Sequence, residues 1–174
     1  MRIHLALLAC LFVPNLLPAD TPTAPPRAVQ SLYLKELIHR AWLETHYAEK
    51  HPSMQRAMAR IDSIETDFPN LSADSLDPAV IERAYSEATI ALHELLEKYR
   101  EKHPEVLAQR RALQHIVEIH EATPTHDREF LQATLADLRA ERRALQLKYR
   151  EKHPKLLSVN ARIQACEQLL LDAK

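Results

Sequence analysis

The chain contains no glycine among its 174 residues. Glycine supplies the positive φ angles of tight turns, helix C-caps and phosphate-binding loops. Its absence excludes a Walker loop, a dinucleotide-binding fingerprint and a nucleophile elbow, because each needs backbone geometry that glycine provides. It also disfavours the two-residue hairpins of a large antiparallel sheet. Since Ala, Leu, Glu, Gln, Arg and Lys are abundant and are good helix formers, we predict an all-α protein.

An excess of either charge is also missing. Lysine and arginine total 23 against 24 acidic residues, and the two signs are interspersed along the chain. Nucleic-acid-binding proteins normally carry a basic face, so we predict no nucleic-acid partner and interpret the charges as solvated helix surfaces. No serine, cysteine or acid stands in a recognisable catalytic arrangement, so we predict that the protein is not an enzyme.

The only long apolar run lies at the amino terminus, over residues 5–17. It follows Arg2, precedes the small residue Ala19 and is too short to span a bilayer, with Pro14 and Pro18 interrupting it. We therefore interpret residues 1–19 as a signal peptide that is cleaved after Ala19. This predicts a periplasmic or secreted protein with no transmembrane segment in the mature chain.

The two cysteines allow a second interpretation of export. Residues 7–10 (LLAC) have the pattern of a lipobox, in which Cys10 would become the lipidated first residue of a lipoprotein. After cleavage at Ala19, Cys166 would be the single remaining thiol, and it would either pair between chains or be buried. Its position on an apolar stripe favours burial.

An internal repeat is the strongest feature of the sequence. The string KYREKHP at residues 98–104 recurs identically at residues 148–154, and a degenerate copy, YAEKHP, occupies residues 47–52. Seven identical consecutive residues indicate duplication. The candidate site comprises the tyrosine, histidine and proline of each copy: Tyr47, His51, Pro52, Tyr99, His103, Pro104, Tyr149, His153 and Pro154.

Apolar residues flank each copy in alternating steps of three and four, the pattern of helices that pack lengthwise. Before the motif these positions are Ile81, Tyr85, Ala88, Leu92, Leu95 and Tyr99 in the second copy, and Leu131, Leu135, Leu138, Arg142, Leu145 and Tyr149 in the third. After it they are Met54, Ala57, Ile61, Ile64 and Phe68 in the first copy, and Leu156, Val159, Ile163, Cys166 and Leu170 in the third. The middle copy is poorer, with Val106, Gln109, Leu113, Ile116 and His120.

Each His-Pro is predicted to interrupt a helix. Proline destabilises a helix interior by about 3 kcal/mol but is favourable as the first residue of a new helix. The histidine would then lie near the N-cap position. Tyr99 and Val106 are seven residues apart, so the apolar phase continues through the break. This spacing suits a kinked long helix as well as a hairpin, and we favour a sharp bend.

These features predict a bundle or coiled coil of three helix–His-Pro–helix units within residues 28–174. The units cover about 28–67, 78–121 and 127–172. The connecting segments, residues 67–78 and 122–127, are rich in helix-breaking and capping residues. Residues 20–27 (DTPTAPPR) are predicted to form a disordered proline-rich linker.

The ten histidines do not have the spacing of a metal site. His115 and His120 are five residues apart, which is one more than the helical spacing that brings two ligands together. His46 and His51 lie on either side of a predicted break. The motif histidines could converge only if the three repeats met around an axis, so we predict no metal and no cofactor.

The Tyr-x-x-x-His-Pro cluster has two interpretations. An aromatic ring beside Lys, Arg and Glu can recognise sugars or peptides. Alternatively, the tyrosine ring packs over the proline and seals the helix break, which is the interpretation that we favour.

The motif resembles a segment common in bacterial polysaccharide chain-length determinant proteins, which have a long helical periplasmic region. The resemblance covers about 25 residues per copy and is carried by a leucine-rich helix, a tyrosine, His-Pro and following apolar positions. The matching residues are Leu95, Tyr99, His103, Pro104, Val106 and Leu113 in the second copy, and Leu145, Tyr149, His153, Pro154, Leu156 and Ile163 in the third. This chain differs in having three copies and neither flanking transmembrane helices nor a kinase domain. The resemblance implies a periplasmic coiled-coil element and suggests a connection with polysaccharide.

The sequence thus predicts a non-enzymatic helical scaffold or interaction module of the cell envelope, which would bind a protein partner or a second copy of itself. The alternatives are a periplasmic chaperone-like or stress protein, and a polysaccharide-associated accessory factor.

Overall fold

The computed structural model describes residues 24–120 and 124–173, and within these ranges it contains helices and no strands. The helices are α1 (Arg27–Glu44), α2 (Pro52–Asp67), α3 (Pro78–Lys98), α4 (Pro104–His120), α5 (Arg128–Gln146) and α6 (Pro154–Asp172), with a short 3₁₀ turn at Ala73–Ser75. The all-α prediction and the three helix–His-Pro–helix units are therefore confirmed. The predicted signal peptide, Cys10 and most of the proline-rich linker lie outside the described residues.

Each repeat unit is a helical hairpin. The helices pack in pairs, α1 on α2, α3 on α4 and α5 on α6, so the chain reverses at every His-Pro instead of continuing as a kinked helix. The units then associate in chain order, because α1 contacts α3 and α4, and α3 contacts α6. The outer helices α2 and α5 pack mainly against their own partners. The array is consequently linear, with α3 near its centre.

The predicted apolar seams form much of the core. Met54, Ala57 and Ile61 of α2 are buried, as are Leu131, Leu135 and Leu138 of α5 and Leu156, Val159 and Ile163 of α6. Cys166, on the same stripe, is fully buried, as predicted. Burial raises the pKa of its thiol, so this cysteine remains protonated and shielded.

The central helix α3 is buried on more than the single face that its seam predicts. Val80 and Ile81 join Tyr33 and Leu34 of α1 in one apolar cluster. Ile90 joins Leu131 and the buried face of α6 in a second cluster. The two clusters lie on either side of α3 because this helix contacts both neighbouring units.

The weak seam of α4 has a structural reason. Gln109 occupies a seam position, and its Nε2 donates to the Ala88 carbonyl of α3 at 2.9 Å. This hydrogen bond pairs a polar group that would otherwise be costly to bury. The buried residues of α4 are Val106 and Ile116, which lie on the seam, and the small residues Ala108 and Ala112 beside it.

The starts of α1 and α3 lie side by side. Arg27 Nε donates to an Asp77 carboxylate oxygen at 2.8 Å, and the Asp77 N–H donates to Gln30 Oε1 at 2.7 Å. Arg27 is thus the first residue of α1, whereas the sequence analysis placed it at the end of the linker. Within the described ranges, no helix combines the length and apolar character that crossing a bilayer requires.

The tips of the second and third hairpins point towards the same end of the array. Ser158, near the start of α6, donates its hydroxyl to Glu94, near the end of α3, at 2.6 Å. At the other end, Thr125 hydrogen-bonds to Glu82 near the start of α3. Helices α3 and α6 are therefore antiparallel.

Candidate functional site at the hairpin tips

The three hairpin tips have the same backbone construction. In each, the tyrosine N–H donates to the carbonyl of the leucine four residues earlier, at 2.8–2.9 Å. The histidine N–H donates to the carbonyl three residues earlier, again at 2.8–2.9 Å. The leucines are Leu43, Leu95 and Leu145. The degenerate first copy therefore keeps the geometry of the two identical copies.

Each motif histidine caps the helix that follows it. His51 Nδ1 accepts from the Ser53 N–H at 3.2 Å. His103 and His153 accept from the N–H groups of Glu105 and Lys155, each at 3.3 Å. The intervening proline has no N–H to satisfy and its φ angle suits the first helical position. The sequence His-Pro thus both ends one helix and begins the next.

The tyrosine of each tip stacks on the histidine. The ring centroids are 4.0 Å apart for Tyr47 and His51, with an interplanar angle of 18°. The two identical copies have centroid distances of 3.9 Å and angles of 8° and 20°. From the sequence we expected the tyrosine to pack over the proline. The proline is instead the first residue of the next helix, and the histidine, whose backbone is extended, stacks its ring on the tyrosine four residues earlier.

The tip geometry limits what these histidines can do chemically. Because Nδ1 accepts a backbone hydrogen bond, its lone pair is engaged and is not free to bind a metal or to remove a proton. The motif histidines are half-buried, whereas the prolines are exposed and Tyr47 is 41% exposed. The tips therefore present aromatic edges and charged side chains.

The motif histidines lie on three separate tips. Among the residues that the structure describes, no group of three or more His, Cys, Asp or Glu has the arrangement of a metal site. The absence of a cofactor in the protein stays a prediction.

The first tip carries a row of neighbouring aromatic side chains that was not predicted from the sequence. Trp42, the only tryptophan, has its ring centroid 4.6 Å from that of His46, with the planes tilted by 30°, and 6.2 Å from that of His39. The series continues through Tyr47 to His51. The signal was present, because residues 39, 42 and 46 have the three–four spacing that aligns side chains on one helix face.

A contact between a serine and a histidine was also not predicted from the sequence. His126, in the segment before α5, has its Nδ1 3.2 Å from Ser86 Oγ, and its ring stacks on Tyr85 at 5.2 Å. Burial lowers the pKa of His126, against the opposing influence of Asp172 and Glu82. The two residues are 40 positions apart in the sequence, so only the packing of the third unit on α3 brings them together.

This pair is structural. Ser86 is fully buried, and its hydroxyl lies 2.8 Å from the Glu82 carbonyl, to which it donates. A nucleophile needs an exposed oxygen that a substrate can reach. The contacts of His126 attach the start of the third unit to α3. The Arg83 guanidinium, which lies 4.7 Å above the Phe130 ring, adds a second attachment.

Comparison with protein-family models, curated proteins and solved structures finds no match to this chain.

Proposed function

We propose that the protein is a non-enzymatic helical scaffold of the cell envelope that presents its helix faces to a protein partner or to a second copy of itself. The observation that carries this proposal is the linear order of the three hairpins. Because α2 and α5 pack mainly on their own partners, each has a face that no other unit covers. Repeat arrays use such open faces for binding. The location in the envelope rests on the signal peptide predicted from residues 1–19.

The composition of the exposed surface supports a scaffold over a chaperone. A chaperone that cradles unfolded chains should expose a continuous apolar patch. Here the exposed large apolar side chains stand singly along the chain, and they are Leu32, Tyr47, Leu107, Leu147, Leu157 and Leu171. Single exposed apolar residues are normal on a protein surface.

Two measurements on one preparation separate these functions. Light scattering after gel filtration gives the mass over a range of concentrations, and a light-scattering assay follows the aggregation of a reduced, unfolding client. A scaffold should give a defined mass and leave the client's aggregation unchanged. Suppression of aggregation at stoichiometric amounts would replace the scaffold with a chaperone.

The stacked tyrosines support a second proposal, a polysaccharide-associated accessory factor, because half-exposed aromatic rings beside charged side chains suit sugars. Binding to extracted surface polysaccharide should be lost in the double variant Tyr99→Ala/Tyr149→Ala. The matched control is Lys102→Ala/Lys152→Ala, which changes the same tips without removing a ring. Unchanged binding by the tyrosine variant would remove this function.

A further inference from the structure

The third hairpin tip carries an apolar side chain that its own fold does not use. Leu147, the C-cap residue of α5, is 89% exposed. The equivalent positions, two residues before the motif tyrosine, are Glu97 in the second repeat and Thr45 in the first. The repeat therefore does not require an apolar residue there. Glu97 is exposed, and Thr45 is half-buried and donates its hydroxyl to the Trp42 carbonyl at 2.8 Å.

Four cations lie close to this leucine in the sequence. Within residues 147–155, Lys148, Arg150, Lys152 and Lys155 are exposed, and Glu151 is the only acid. In the described part of the chain, none of these four cations lies within ion-pair distance of an acid. The matching residues 97–105 of the second repeat hold three cations against three acids. The positive excess thus belongs to the third tip.

The opposite end of the array is acidic. Residues 61–82 contain six acids and no lysine, arginine or histidine. Asp62, Glu65, Asp67 and Asp74 are exposed there. Helix α3 separates this segment from the third tip by about 25 Å, at a rise of about 1.5 Å per residue. A negatively charged surface would therefore attract one end of the molecule and repel the other.

We propose that the third tip docks onto an anionic lipid surface, with Leu147 entering the boundary between headgroups and acyl chains and the four cations contacting lipid phosphates. An exposed leucine among cations suits this surface, since apolar burial and attraction to anionic lipid act together. A soluble polyanion would bind the cations but would not bury Leu147. This inference rests on the proposed scaffold function and names one surface to which the scaffold would attach. Vesicle binding could fail while the mass and aggregation measurements still gave the results expected of a scaffold.

The test measures sedimentation with phosphatidylcholine vesicles that contain or lack phosphatidylglycerol. The protein is used both as the full chain and as the form beginning at Asp20, because the apolar run of residues 5–17 could itself bind lipid. We expect the shorter form to bind only the anionic vesicles, and added salt to weaken binding. Leu147→Ser should weaken vesicle binding by about tenfold, since burying a leucine is worth at least the free energy of one decade in affinity.

Two further variants identify the surface. Lys148→Gln/Lys152→Gln should lower binding both to the vesicles and to a dextran sulfate resin, whereas Leu147→Ser should change only vesicle binding. Leu171→Ser is the matched control, because Leu171 is 62% exposed near the far end of α6, and its binding should equal that of the wild type.

Three outcomes would overturn the proposal. In the first, the form beginning at Asp20 does not bind anionic vesicles at low salt. In the second, Leu171→Ser and Leu147→Ser lose vesicle binding to the same extent. In the third, Leu147→Ser binds the vesicles as well as the wild type does. If the lysine variant instead abolished a concentration-dependent self-association without any effect on vesicles, the tip would be docking onto the acidic end of a second copy.

Discussion

The histidine of each hairpin tip makes two contacts at once. Its Nδ1 accepts the N–H of the second residue of the following helix, and its ring stacks on the tyrosine of the preceding segment. Serine, threonine, aspartate and asparagine are the usual N-cap residues, and they could satisfy the same N–H. None of them offers an aromatic face. Histidine therefore combines at these tips a cap and an aromatic stack that none of the usual N-cap residues could provide together.

We predict that His153→Ala lowers the free energy of unfolding by about 1–2 kcal/mol, because it removes an N-cap and an aromatic stack. His153→Asn should lower it by about half as much, since asparagine keeps the cap and loses the stack. Urea unfolding followed by circular dichroism measures both. His93→Ala, which changes an exposed histidine on α3, is the control and should be neutral. Equal effects of alanine and asparagine at position 153 would mean that the stack contributes nothing.

At the scale of the elements, polar side chains set how the second and third hairpins meet. Glu94 of α3 accepts from Ser158 of α6 at 2.6 Å and from Lys98 at 2.6 Å, and Arg162 lies 3.8 Å away. Burial raises the pKa of Glu94, but the hydrogen bonds from Lys98 and Ser158 outweigh it and leave the pKa lowered. The carboxylate therefore stays ionised and joins α3 to α6 at this point of the interface.

A double-mutant cycle with Glu94→Ala and Ser158→Ala tests this contact. We expect a coupling free energy of about 1 kcal/mol, because each single variant already removes the same hydrogen bond to an ionised group. Denaturant unfolding of the four proteins supplies the values. The cycle of Glu97→Ala with Ser158→Ala is the control, since Glu97 is exposed on the same helix. A coupling no larger than the control's would show that apolar packing alone sets the register.

In the molecule as a whole, two apolar clusters lie on either side of α3, and several polar and aromatic side chains outside them also join the third unit to α3. His126 is one of these, through Tyr85 and Ser86. Because burial lowers the pKa of His126 in the folded protein, the unfolded chain binds a proton more readily. The stability that this residue contributes is present above the ordinary histidine value of 6.5 and is lost as the pH falls through the lower folded value.

We therefore predict that the melting temperature decreases as the pH falls below 6.5, and that His126→Gln flattens this dependence. Differential scanning calorimetry over a series of mildly acidic buffers measures it. Glu94 and Asp77, whose pKa values are also lowered, act at more acidic pH, below the ordinary carboxyl values of 4.5 and 3.8. His93→Gln, which replaces an exposed histidine on α3, is the control variant. An unchanged pH profile in His126→Gln would contradict the prediction.

The local architecture of this protein follows from short-range features of the chain. The absence of glycine, the three–four apolar spacing and the three His-Pro dipeptides identify the helices and where each one stops. These features act through backbone geometry and the burial of adjacent turns, which depend on residues close together in the chain. The burial of Cys166 followed from the same local stripe.

The way in which the units meet depends on packing between distant residues. The spacing of Tyr99 and Val106 is compatible with a kink or a hairpin, and the packing of α3 on α4 selects the hairpin. The second buried face of α3, the pairing of Ser86 with His126 and the separation of acidic and basic ends arise from contacts between residues tens of positions apart. Such contacts depend on which faces of different helices meet, and the periodicity of a single helix does not encode that choice.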